Sequence, residues 1–187
     1  MEAFNAGTLA GAGSFRCDSC GFAVALQELD EVPACPECGG RRFKRASMFD
    51  RGARNEIQQV HGPPDWLADA RDALVSSGDY LAFETDERVQ VLPLQDGWTR
   101  IGRSLSAHVR FDDPTVSRRH ALVYCEEGGA RILDDRSLNG VFRNRERVEH
   151  AELEDGDEIG VGRFRLYFMS LAGERPRTRE GATTTVG

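Results

Sequence analysis

Two short cysteine pairs, Cys17-Asp-Ser-Cys20 and Cys35-Pro-Glu-Cys38, constrain this 187-residue chain more than any other feature. A two-residue gap lets both thiolates of a pair reach one ion at ~2.3 Å while the N–H groups of the turn point at the sulfurs. Gly21 and Gly39-Gly40 follow the second cysteine of each pair, where such a turn wants a residue free to take a positive φ. Two such turns facing each other predict a closed tetrahedral site of Cys17, Cys20, Cys35 and Cys38. The ~35 residues around them are too few to fold on their own core, so the metal supplies the missing free energy. A fully ligated ion leaves no position for water, which makes the site structural and not catalytic. Two disulfides or a dithiol redox site each explain one pair better than two matched pairs. Zinc, one ion per chain, is the expected occupant, although iron uses the same ligands.

Residues 14–46, with CDSCG and CPECGG as the carrying motifs, resemble the zinc-ribbon, or rubredoxin-like, fold. The rest of the composition bounds the function. A net charge of −7 suits neither a coat for nucleic acid nor a partner of anionic membrane. The opening residues have no basic segment and no apolar stretch of a secretory signal. No run approaches the ~18 apolar residues that span a bilayer. A cytoplasmic protein is the expectation, and in that compartment cysteines are thiols or metal ligands. Arg41, Arg42, Lys44 and Arg45, with Phe43 among them and Arg51 and Arg54 beyond, form a basic stretch over 41–54. It is a solvated strand end, or a nucleic-acid contact in an alternative reading.

Residues 47–78 read as a connector with one short helix. Pro63-Pro64-Asp65 is its start signal, Leu67, Ala70 and Leu74 lie on one face, and Gly78 is its stop. From Asp79 to residue 172 the signals are β. About nine short runs, many alternating apolar with polar, are separated by turn residues such as Asp113-Pro114, Asn139-Gly140 and Asp155-Gly156-Asp157. With no helix between them they predict an antiparallel β-sandwich, and the chain as a whole is mainly β. Cys125 lies inside one run and is expected in the core. Residues 173–187 hold almost nothing that can be buried and read as a flexible tail.

Three loops of the β region place hydrogen-bond donors together: Gly102-Arg103, Ser117-Arg118-Arg119-His120, and Ser137-Leu138-Asn139-Gly140. Asn144 and Gly156-Asp157-Glu158-Ile159 follow in order. On these motifs residues 79–170 resemble a forkhead-associated (FHA) domain, a reader of phosphothreonine. The chemistry fits. A phosphomonoester is dianionic near neutral pH and offers three acceptor oxygens. Arg103 supplies a guanidinium fork, Ser117 a hydroxyl, and Arg118 a second cation or a backbone N–H. Asn139 carries both a donor and an acceptor, so its amide can hold the main chain of an extended peptide beside the phosphoresidue. The resemblance implies that Gly102, His120, Gly140 and Asn144 support the loops without touching phosphate. Two departures stand out. The family usually has threonine where this chain has Leu138, which removes one donor to phosphate, and glycine commonly follows Asn144, where this chain has Arg145.

No catalytic constellation is present. Ser117 and His120 share a loop without a third group, and Gly160-Val161-Gly162 precedes a strand and not a helix. The sequence therefore predicts a non-catalytic adaptor that binds proteins phosphorylated on threonine by a Ser/Thr kinase, with the ribbon as a second interaction module. The alternative is a nucleic-acid-associated regulator using the ribbon and residues 41–54. Thr183, in the tail, is a candidate phosphosite.

Overall fold

The computed structural model describes residues 3–46, 62–86 and 88–171. Arg51, Arg54 and the tail with Thr183 lie outside them. The first sheet has four antiparallel strands: β1 (Ala3–Asn5), β2 (Gly13–Cys17), β3 (Ala23–Leu26) and β4 (Arg42–Arg45), in the order β1-β4-β2-β3. Its core is Phe15, Phe22, Val24, Leu26, Val32 and Phe43, with Cys17 and Cys35 among them. This sheet draws in β1, upstream of residue 14. The reason is aromatic packing: Phe4 meets Phe15 edge-on at 5.1 Å, and the Arg45 guanidinium lies 5.1 Å from the Phe15 ring centre.

The connector contains one helix, α1 (Trp66–Asp72), with Ala73 as its C-cap. It ends before Gly78, which instead opens the next strand. Asp65 precedes the helix but makes no side-chain cap bond. Trp66 sits edge-on to Tyr167 at 5.7 Å and donates its indole N–H to Glu84. Leu67 and Leu74 pack with Tyr80, Ala82 and Met169, and Arg71 pairs with Asp155 at 2.6 Å. The helix therefore covers one face of the sandwich.

The sandwich begins with β5 (Gly78–Thr85), β6 (Arg88–Leu94), β7 (Gly97–Gly102), β8 (Val109–Arg110) and β9 (Ala121–Glu126). It continues with β10 (Gly129–Asp134), β11 (Val141–Arg143), β12 (Glu146–Val148), β13 (His150–Leu153), β14 (Glu158–Val161) and β15 (Phe164–Leu171). One sheet has the order β13-β10-β9-β7-β8, the other β12-β11-β14-β15-β5-β6. All pairings are antiparallel except β7 with β8, which is parallel. The inward residues alternate as a half-buried strand requires. In β9, Ala121, Val123 and Cys125 are buried while Leu122, Tyr124 and Glu126 are not. Leu81, Phe83, Ile101, Ile132, Val141, Ile159, Leu166 and Phe168 fill the core between the sheets, with Cys125 among them. The strand ends at β7, β9 and β11 bring the three donor-bearing loops to one end of the sandwich.

Candidate functional site

The four cysteines converge. Their Sγ atoms all lie within 4.8 Å of one another, with Cys17 to Cys38 at 3.6 Å and Cys20 to Cys35 at 3.5 Å. A tetrahedral ion with ~2.3 Å bonds to sulfur needs S–S edges of ~3.8 Å, so the set fits a metal. The turns are built as the spacing requires. Gly21 and Gly39 take φ of 77° and 70° and return their N–H groups to the carbonyls of Cys17 and Cys35 at 2.9 and 2.8 Å. Burial pushes the Cys20 and Cys35 thiols up. A bound cation is what favours their thiolates.

At the end of the sandwich, Gly102 lets the first two loops touch. A Cβ there would stand 2.5 Å from the carbonyl oxygen of Arg118. The close approach permits the Arg103 and Ser104 N–H groups to donate to the carbonyls of Ser117 and Arg118 at 2.9 and 3.1 Å. His120 is fully buried beneath. Its Nδ1 accepts the Ser117 N–H at 3.0 Å, so its Nε2 carries the proton and donates to the Gly140 carbonyl at 3.1 Å. One imidazole thus ties the second loop to the third. Burial pushes its pKa down to about 4, and at neutral pH the ring is uncharged.

The third loop is braced from within. Ser137 Oγ donates to Asp134 and accepts the Gly140 N–H, while the Leu138 N–H donates to Ser117 Oγ at 3.0 Å. Since Ser117 Oγ accepts there, its own O–H is left to donate. Asn144 lies elsewhere: its Nδ2 donates to Asp157 and its Oδ1 accepts the Glu158 N–H. It shapes the β11–β12 turn, where both Asn144 and Arg145 have positive φ (50° and 72°). Arg145 therefore keeps the backbone shape for which glycine is the easier residue.

Arg103, Ser117, Arg118, Ser137 and Leu138 line a cleft of about 830 Å³. Two further arginines line it: Arg119, which the sequence places in the second loop without a role, and Arg136, which it does not single out. Arg119 pairs with Asp135 at 2.6 Å, and Arg136 precedes Ser137 with a φ of 64°. Four arginines against one carboxylate make the cleft a seat for an anion. Its opposite wall was not foreseen at all: it is Gly13, Ser14, Ala25 and Leu26 of the N-terminal sheet. Asn139, buried, accepts the Ala23 N–H at 2.9 Å and donates to the Ala23 carbonyl at 2.8 Å. The Ala25 N–H donates to the Pro114 carbonyl at 2.7 Å, and Arg103 Nη1 donates to the Ala25 carbonyl at 2.8 Å. Both ends of the Asn139 amide are thus bonded to β3 of the same chain.

Of the basic stretch, Arg41, Arg42, Lys44 and Arg45 are exposed. Phe43 is fully buried, Arg45 donates to the carbonyls of Ala10 and Ala12, and Lys44 lies 3.8 Å from Asp18.

Comparison with known proteins follows this division. Residues 99–162 match the FHA domain and residues 1–47 match a zinc-ribbon containing domain. The glycogen accumulation regulator GarA of Mycolicibacterium smegmatis is 46% identical over 72 residues, 38% of this chain and 46% of the relative. The oxoglutarate dehydrogenase inhibitor of Corynebacterium efficiens is 44% identical over 72 residues, 38% of this chain and 51% of the relative. The chain thus spans about half the length of these curated relatives. A solved FHA domain from work on phosphothreonine-dependent FHA domain interactions covers 52% of this chain at 30% identity, with a TM-score of 0.49, and is itself covered over 99% of its length.

Proposed function

We propose that this chain, which carries an FHA domain at 99–162 and a zinc-ribbon containing domain at 1–47, is a non-catalytic cytoplasmic adaptor that binds partners phosphorylated on threonine by a Ser/Thr kinase. FHA domains bind phosphothreonine peptides, and the observation that carries the reading here is the cationic cleft beside Asn139. Arg103 and Arg118 supply charge to the phosphate, and the Ser117 hydroxyl adds a donor held in place by Leu138 N–H. Asn139 holds main chain through both ends of its amide. Gly102, His120 and Gly140 set the loops, and Asn144 sets the turn behind them.

FHA and zinc-ribbon domains are typical of non-catalytic regulators, and the loop chemistry agrees. His120 cannot serve Ser117 as a general base, because its Nδ1 is taken by the Ser117 backbone and its Nε2–H by Gly140. The ribbon's four cysteines are consistent with a bound metal, and one structural Zn²⁺ per chain is the proposed occupant. Among the described residues no helix is long and apolar enough to cross a membrane.

The test is a phosphopeptide array probed with wild type and Arg103→Ala in parallel. Spots bound by wild type only when threonine is phosphorylated, and lost in the variant, support the reading. Binding that ignores the phosphate, or survives Arg103→Ala unchanged, overturns it.

A further inference from the structure

Strand β3 is the edge of the ribbon sheet, and an edge strand normally leaves a row of main-chain groups to solvent. Here they are taken. Ala23 gives its N–H and C=O to Asn139, and Ala25 gives its N–H to Pro114 and its C=O to Arg103. These are alternate residues of one extended strand, bonded to Asn139, which the proposed function reserves for a ligand's main chain, to Arg103, which it reserves for phosphate, and to the Pro114 carbonyl. The Asn139 Nδ2 group also donates to the Thr115 carbonyl at 2.9 Å. Both donors of its amide are thus committed, one of them to β3, while Oδ1 accepts from Ala23.

We infer that β3 is a built-in occupant of the peptide seat, and that a phosphothreonine peptide binds by displacing the ribbon from Asn139 and Arg103. The inference rests on the reading of the cleft as a phosphopeptide site. The occupant is incomplete in a telling way. β3 reads Ala-Val-Ala-Leu, so it makes the sequence-independent main-chain bonds but brings no anion to Arg103, Arg118, Arg119 and Arg136. An unphosphorylated peptide offers nothing that β3 does not, and it competes against a strand tethered in the same molecule at high effective concentration. A phosphorylated peptide adds charge-assisted bonds that β3 lacks. The ribbon therefore weakens both peptide forms by the same factor, set by the fraction of molecules whose seat is uncovered, and it is the charge-assisted bonds of the phosphorylated form that offset this cost.

Ala25→Pro in the full chain tests this. Proline removes the N–H that reaches Pro114, and it stands on an edge strand at a position whose N–H serves the sandwich and not the ribbon ladder. The probe is a library of phosphothreonine peptides randomised at the flanking positions, with its unphosphorylated counterpart. The variant is expected to bind the phosphorylated library about tenfold tighter or better than wild type. If the substitution unfolds the ribbon, the strand is off its seat all the same and the same gain is expected. In wild type, the Ala23 and Ala25 amides are expected to exchange slowly with deuterium when free and faster once peptide is bound. Equal or weaker binding by the variant, or amides that stay protected in the wild-type complex, overturns the inference and leaves the phosphothreonine reading standing. If neither protein distinguishes the phosphorylated library from its counterpart, that reading fails and the inference with it.

Discussion

Asn139 is where the two halves of the chain meet, and its neighbours show how much a single side chain decides at this site. Leu138 lines the cleft where the resemblance implies a threonine hydroxyl. One neutral donor to phosphate is worth about 1 kcal/mol, so Leu138→Thr should tighten phosphopeptide binding about fivefold by calorimetry. His120 has a different consequence. Its folded pKa of about 4 lies below the ordinary 6.5 because burial disfavours the imidazolium. As pH falls below ~6.5 the unfolded chain takes up a proton that the native state refuses until pH nears 4. Stability conferred by the neutral ring is thus complete above the unfolded value and lost across that window, on the order of 3 kcal/mol in all. Asp155 and Asp157, whose carboxyls are held below the usual range chiefly by Arg71 and Arg143 against the opposing effect of burial, add losses only at the acid end. Urea unfolding at pH 7 and pH 5 should show the His120 slope, and a flat profile would contradict it.

At the scale of elements, the loop carrying Ser117 and Arg118 is held by backbone contact, so it is sensitive to space. Gly102→Ala puts a methyl 2.5 Å from the Arg118 carbonyl. The loop must shift, at about 1–3 kcal/mol of stability. Phosphopeptide affinity should fall with it, although no ligand-touching group is removed; denaturant unfolding and titration of the same sample check both. These loops were legible in the sequence because their residue types are unusual together. Gly102, His120 and Asn139 carry roles that few other side chains fill. The strands β12 and β13 were not legible, since Glu146–Val148 and His150–Leu153 are short and mostly exposed. The docking of β3 was not legible for a deeper reason. Ala23 and Ala25 act through N–H and C=O groups, which every residue except proline has, so the contact leaves no mark on side-chain pattern. The end of α1 before Gly78 was missed because a loop, not a glycine cap, leads into β5.

At the scale of the molecule, the ribbon and the sandwich have separate cores that share no residue, joined through hydrogen bonds to one edge strand. Only the ribbon depends on ligand free energy. Stripping the metal with a chelator, or changing Cys38→Ser, should therefore release one ion per chain and unfold residues 3–46 while the sandwich keeps its dispersed NMR signals. Elemental analysis and spectra of the same sample test it, and loss of both sets of signals together would show one cooperative unit. The proposed function of the whole chain rests on recognition of phosphate by the cleft of Arg103, Ser117, Arg118 and Asn139. Its most direct measurement is calorimetric titration of the full chain with one array-selected peptide in phosphothreonine and threonine forms, against wild type and Arg103→Ala. Saturable binding is expected of the phosphorylated form alone, weakened about 30- to 150-fold by the substitution, the loss that follows from removing a charge-assisted contact of about 2–3 kcal/mol. Equal affinity for both forms, or an Arg103→Ala protein that binds as wild type does, would contradict it.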